Sequence, residues 1–235
     1  MSPYVAEFLG TMLLIILGDG VVAGVLLKGT KSENAGWHTI VIAWGLAVMI
    51  AIYAVGRISN AHLNPAITIA LYIAGDFPLE KLGGYIIAQF AGAFTGAVIV
   101  WLHYLPHWER TESREKKLSV FCTSPAVRSY PHNLFSEILA TLILVLAILF
   151  IGANHFADGL NPVVIGALIS AIGFSLGGTT GFAINPARDL GPRAAHSILP
   201  IPGKGSSDWS YSWVPVIGPV IGGVLGALIF KALFV

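Results

Sequence analysis

Two Asn-Pro-Ala triplets, at 64 to 66 and 185 to 187, are the residues whose type and placement first suggest chemistry. Asparagine is a preferred helix N-cap and proline is favoured at the first helical position, so Asn64-Pro65-Ala66 and Asn185-Pro186-Ala187 each spell a helix start. A carboxamide does no acid-base work, but its N–H groups can donate to an oxygen. Glu7 and Glu137 lie 130 positions apart within apolar stretches, where a carboxylate is costly and by default functional; their symmetric placement suggests a supporting role. Gly173-Phe174-Ser175-Leu176-Gly177 matches the Gly-x-Ser-x-Gly pattern of serine hydrolases. That pattern needs a strand-turn-helix elbow, and here it falls in an apolar helical stretch with no carboxylate nearby in sequence, so no enzyme is expected. His103, His107 and His132 lack the tight spacing of a metal site and read as residues of a solvated loop. No metal or cofactor is expected.

The elements that must position these groups follow from composition. Of 235 residues, 55% are hydrophobic and 11% charged, against about a quarter charged in soluble domains, which points to lipid as the solvent. A bilayer core takes about 20 apolar residues to cross as a helix, and six runs approach that length: 4–27, 38–55, 82–105, 134–151, 162–177 (the shortest) and 213–234. The first lacks a basic leader and carries Glu7 early, so it reads as a span and not a signal peptide. A net charge of +1 gives no case for a nucleic-acid partner, and the single Cys122 excludes an internal disulfide.

A polar stretch, 104–132, divides the spans three and three, and the halves, about 1–103 and 133–235, repeat each other. Glu7 with Thr11 matches Glu137 with Thr141, and Gly92 with Gly96 matches Gly222 with Gly226, each offset by 130; the triplets are offset by 121. Three spans per half is an odd number, so the halves enter the membrane from opposite sides, an inverted repeat typical of transport proteins. Each triplet opens a helix too short to cross, from Pro65 to about Ala74 and from Pro186 to about His196. Non-helical backbone leading into such a start is tolerated in a membrane only where protein buries it or a watery cavity adjoins it. The paired glycines have the small-xxx-small spacing of close helix seams.

With its flanks AHLNPAITIAL and GFAINPARDLGP, the chain resembles the aquaporin superfamily over nearly its whole length, and the aquaglyceroporin subfamily within it. The resemblance implies an all-α integral membrane fold of six spans plus two half-helices meeting at the midplane, with one pore per chain in a homotetramer. It implies a passive channel for glycerol and other small uncharged solutes, with some water, excluding ions and protons. Related polyols, urea and small protonated acids would also suit such a pore. By resemblance the selectivity filter is Trp44, Gly173, Phe182 and Arg188, with Gly173 standing where water-selective relatives typically carry His and so leaving room for a wider solute. Arginine offers N–H donors to hydroxyls while the aromatic faces suit a C–H backbone. Backbone carbonyls of Ala61, His62, Phe182 and Ala183 are expected along the path, and Glu7 and Glu137 are expected to accept hydrogen bonds from the triplet-bearing loops. His62 reads as part of the pore wall, with bracing of a neighbouring loop as the alternative. Asp189, Arg193 and Pro215-Val216 follow the glycerol-type pattern, although Asp189 would also be stabilised simply by the half-helix dipole.

Two rivals share parts of this pattern. A water-selective aquaporin has the same triplets; a secondary transporter shares the inverted repeat, but ion-coupled carriers usually keep titratable groups at the midplane where this chain presents neutral asparagines. The resemblance implies a multi-pass cell-membrane protein with cytoplasmic termini. Only Arg57, Lys81 and Lys231 of thirteen Lys and Arg then face the cytoplasm, the reverse of the positive-inside rule.

Overall fold

The computed structural model describes residues 1–234, and among these the secondary structure is entirely helical. Five helices are long and apolar enough to cross a membrane: α1 (Pro3–Leu26), α2 (Trp37–Ser59), α4 (Leu79–His103), α7 (Tyr130–Gly152) and α10 (Val214–Phe234). The sixth span, α8 (Asn161–Ser175), has 15 residues and so reaches about 22 Å, short of a bilayer core of about 30 Å. Large apolar side chains such as Ile42, Leu46 and Ile87 stay exposed on the outer faces, as a lipid-facing surface requires.

The half-helices are α3 (Pro65–Ala74) and α9 (Pro186–Ile198). Each starts where an asparagine in extended backbone caps it: Asn64 accepts from the Ala66 amide, and Asn185 from those of Ala187 and Arg188. Helix α3 ends on Gly75, whose left-handed backbone (φ 97°) suits a residue without a side chain. Each half-helix packs on the last span of the opposite half, α3 on α10 and α9 on α4, so the halves interlock.

The seams lie where the repeat places glycine. Within the halves α1 packs on α4 and α7 on α10; a Cβ at Gly92 would stand 2.3 Å from the Phe8 carbonyl oxygen, and one at Gly222 the same distance from that of Ile138. Between the halves α2 meets α8 at Gly45 and Gly166, again 121 apart, each facing the other's carbonyl. Gly222→Val must drive α7 and α10 apart, because the opposing atom is backbone and cannot turn aside. Overpacking of this kind costs about 1–3 kcal/mol or more. Loss of the monodisperse folded species on size-exclusion chromatography is expected, whereas Gly83→Ala, with open space around its Cβ, should leave it intact.

The polar stretch 104–132 departs from the expectation of a solvated loop. It holds two short helices, α5 (Leu105–Arg110) and α6 (Arg114–Phe121), and Trp108, Val120 and Phe121 are wholly buried. The Trp108 ring stacks on Phe121 at 5.5 Å and its indole N–H donates to the Trp101 carbonyl. Burial of these aromatics folds the segment down onto the end of the bundle that holds Arg188. His107 Nδ1 lies 2.9 Å from the Lys28 carbonyl and His132 Nδ1 2.8 Å from the Ser129 hydroxyl; no group of metal ligands forms among the described residues.

Candidate functional site

Both triplets lie on one cavity of about 560 Å³ that runs from Trp44, Phe182 and Arg188, past Asn64 and Asn185, to Tyr53, Arg57 and Gly159. The non-helical stretches that lead into the half-helices line it through Ala61, His62 and Leu63 and through Phe182, Ala183 and Ile184, and aliphatic residues including Val48, Ile52, Ile148 and Ile169 line it as well.

The backbone of these two stretches is held in a conformation that side-chain-bearing residues rarely adopt. Asn60, Ala61 and Leu63 have φ of 63°, 49° and 55°, and Gly181, Phe182 and Ile184, each 121 positions later, have 84°, 41° and 44°. For a β-branched residue such as Ile184 this is a strained outlier that persists only where surroundings impose it. Glu137 imposes it: Oε1 accepts from the Thr180 hydroxyl at 2.6 Å and the Ala183 amide at 3.0 Å, and Oε2 from the Ile184 amide at 2.9 Å. Glu7 does the same in the first half, accepting from the Ser59 hydroxyl and the amides of His62 and Leu63 at 2.6, 2.9 and 2.7 Å, and also from the Gln89 side chain at 2.8 Å.

The loops are then tied to each other. Asn64 Nδ2 donates to the Ile184 carbonyl at 2.7 Å, and Asn185 Nδ2 to the Leu63 carbonyl at 2.8 Å. Each carboxamide oxygen is engaged by its own helix start, and of each pair of amide hydrogens one is left without a partner among the described residues. The helix dipoles add roughly half a positive charge at each start.

The Arg188 guanidinium lies over the Trp44 ring at 4.2 Å. Its Nη1 contacts Asp19 Oδ1 at 3.4 Å and the Phe121 carbonyl at 3.5 Å, and its other nitrogens bond to nothing among the described residues. Gly173 acts differently from the expectation of open room. It does not line the cavity; a Cβ there would fall 2.8 Å from Val41 and 3.0 Å from the Phe182 ring. A Cβ at Gly177 would fall 2.5 Å from that ring. The missing side chains make a seat for Phe182, whose ring also meets Trp37 edge-on at 5.7 Å. This gives the Gly-x-Ser-x-Gly stretch its structural meaning, and Ser175 itself is exposed at the end of α8.

His62 meets both readings: the residue lines the cavity, while its ring is buried against the Thr68 hydroxyl (Nδ1 at 3.2 Å), Phe77 and Tyr85. Asp189 is not on the cavity. It accepts from the Thr123 amide and hydroxyl and pairs with Arg193 at 2.8 Å, and Arg193 continues to the carbonyls of Ser207, Asp208 and Thr123. This network stitches α9 to the ends of both long connections. Lys117 donates to the Pro202 carbonyl and Lys204 to three carbonyls at the end of α9. Arg128 pairs with Asp208; burial alone would raise that carboxyl, but hydrogen bonds from Arg128 and Ser210 and the Arg128 and Arg193 charges hold it below the usual range. Four of the thirteen Lys and Arg side chains, Lys117, Arg128, Arg193 and Lys204, are therefore tied into the structure.

Sequence reasoning passed over Asp19, Gln89 and Thr123. An ionisable residue inside the first apolar span was a signal for Asp19. Its counterpart in the second half, position 149, is leucine, so the repeat does not mark it.

Interlocked halves, two capped half-helices and one continuous cavity define a polytopic membrane protein of the aquaporin type. A solved aquaglyceroporin from Plasmodium falciparum superposes with a TM-score of 0.86 at 33% identity, over 97% of this chain and 94% of that one. The sequence is 62% identical over 234 residues to a probable glycerol uptake facilitator protein of Thermotoga maritima, covering all of both chains. It is 58% identical to the glycerol uptake facilitator protein of Bacillus subtilis, covering all of this chain and 85% of that one. The major intrinsic protein family model matches residues 1–230, and the chain belongs to that family.

Proposed function

We propose that the chain is a passive pore for glycerol and other small uncharged solutes, carrying some water and excluding ions and protons. The observation that carries this reading is the mixed lining at one end of the cavity, where the Arg188 guanidinium lies over the Trp44 ring and Phe182 adds a second aromatic side chain. A polyol presents hydroxyls to one side and a C–H backbone to the other, and the glycerol facilitators to which the chain is similar support that class of solute. Asn64 and Asn185 each hold an N–H toward the path, so a water or hydroxyl accepting from both is fixed in one orientation and a proton wire is broken. The positive half-helix ends repel cations, the general account for pores of this type. Related polyols, urea and small protonated acids belong to the same solute class; a homotetramer with cytoplasmic termini, built from halves 1–103 and 133–235, completes the reading.

Stopped-flow light scattering on proteoliposomes tests it. Glycerol entry well above that of protein-free vesicles, equilibrating whatever ion gradient is imposed, is expected. Fast water flux without glycerol permeability would make it a water pore, and uptake that follows an ion gradient would make it a carrier.

A further inference from the structure

Cations are repelled by the half-helix ends, but those same positive ends attract anions, and Arg188 adds a full positive charge to the cavity wall. Glycerol selectivity therefore needs something that discourages anions. Asp19 is placed to supply it. It is wholly buried in α1, its Oδ1 lies 3.4 Å from Arg188 Nη1, and its Oδ2 has no partner among the described residues. The other carboxylate close by in sequence, Asp189, is spent on Arg193 and Thr123. Next to Asp19, Gly18 lies under the Trp44 ring, where a Cβ would approach to 2.4 Å, so the same turn of α1 backs both the arginine and the aromatic over which it lies.

The repeat separates this carboxylate from the scaffold. Glu7 and Glu137 are mates and do the same work in each half. Asp19 has Leu149 as its mate, and Arg188 has Ile67. Both charges break the two-fold pattern, and they meet at one end of the pore.

We propose that Asp19 is the counter-ion of Arg188: a positioning residue that holds the guanidinium against the wall and balances its charge, so that the filter keeps its N–H donors without drawing in anions. The contact is longer than the 2.7–2.9 Å usual for a charge-assisted bond. The remaining guanidinium nitrogens have no partner among the described residues, which keeps their N–H groups available to a solute. The proposal rests on Arg188 being a filter residue.

The test uses the full chain in proteoliposomes, with chloride flux read by an entrapped halide-sensitive dye and glycerol flux by light scattering. Asp19→Asn keeps the shape and removes the charge; chloride permeability is expected to rise about tenfold over wild type, equivalent to about 1.4 kcal/mol. Asp19→Glu should stay near wild type, and Asp19→Asn should add nothing in an Arg188→Leu background. Chloride permeability of Asp19→Asn no higher than wild type would overturn the proposal, as would an unchanged effect without Arg188. If wild type passes no glycerol above bare vesicles, the glycerol reading fails while the chloride comparison still decides this one. Should Asp19→Asn not fold, the double variant Asp19→Leu/Arg188→Leu is expected to recover folded protein, because replacing both members of a buried pair by apolar residues is often neutral. Failure to recover it would count against the pairing.

Discussion

Glu137→Ala is expected to close the pore, cutting glycerol and water flux about tenfold or more and costing about 3 kcal/mol of stability. The reason lies in what the carboxylate holds. Two backbone N–H groups and a hydroxyl converge on it, and each left unpaired in a buried site costs about 1–3 kcal/mol, offset in part because a carboxylate no longer has to be buried. The freed segment contains Phe182 and Ile184 in left-handed backbone and would relax toward ordinary conformations. That relaxation moves the Ile184 carbonyl off Asn64 and carries Phe182 away from its seat on Gly173 and Gly177. The loss should appear as a lower unfolding midpoint in detergent together with lost permeability. Glu7→Ala should do less harm, because Gln89 stands in the same site with an unpartnered Oε1 that can turn onto the freed amides of His62 and Leu63. Its counterpart in the second half is Pro219, which offers nothing. Equal damage from the two substitutions would show that the carboxylates act by charge and not by satisfying the loops.

The features legible in the sequence are those with strong local chemistry. Asn-Pro spells a helix start wherever it stands, and apolar runs of span length say where the membrane is; together they place α3 and α9 to within two residues at their far ends. The glycine seams and paired glutamates were legible because duplication wrote them twice. The connection 104–132 was not, since its polar composition hides a few large side chains, Trp108 and Phe121, that are buried only because α4 and α9 lie beneath them. Burial set by tertiary neighbours leaves no periodic trace in a short polar segment. Asp19 escaped for a related reason: a search built on symmetry sees what both halves share, and a device that distinguishes one mouth of a pore from the other must be asymmetric. The glycine pair at 173 and 177 was read as free space because sequence gives the absence of a side chain without saying what fills the gap.

That correction carries a sharper expectation for selectivity. If Gly173 merely widened the path, alanine there would trim a void and both solutes would slow slightly together. Instead an added methyl must displace either Val41, which is part of the packed α2 face, or the far edge of the Phe182 ring, which is the softer of the two. A ring pushed off its seat swings toward Trp44 and Arg188, across the width that a polyol needs and a single file of water does not. Gly173→Ala is therefore expected to cut glycerol permeability about tenfold, the scale set by an overpacking cost of about 1–3 kcal/mol, while water permeability falls much less. Gly178→Ala, with open space about its Cβ, serves as the control and should leave both fluxes as they are. Paired glycerol and water measurements on the same vesicles decide the matter. A parallel fall in both solutes would return Gly173 to the role of spacer, and a fall confined to glycerol would establish that the width beside Arg188 is set by the seat beneath Phe182, one contact behind the cavity wall and nine positions away in sequence.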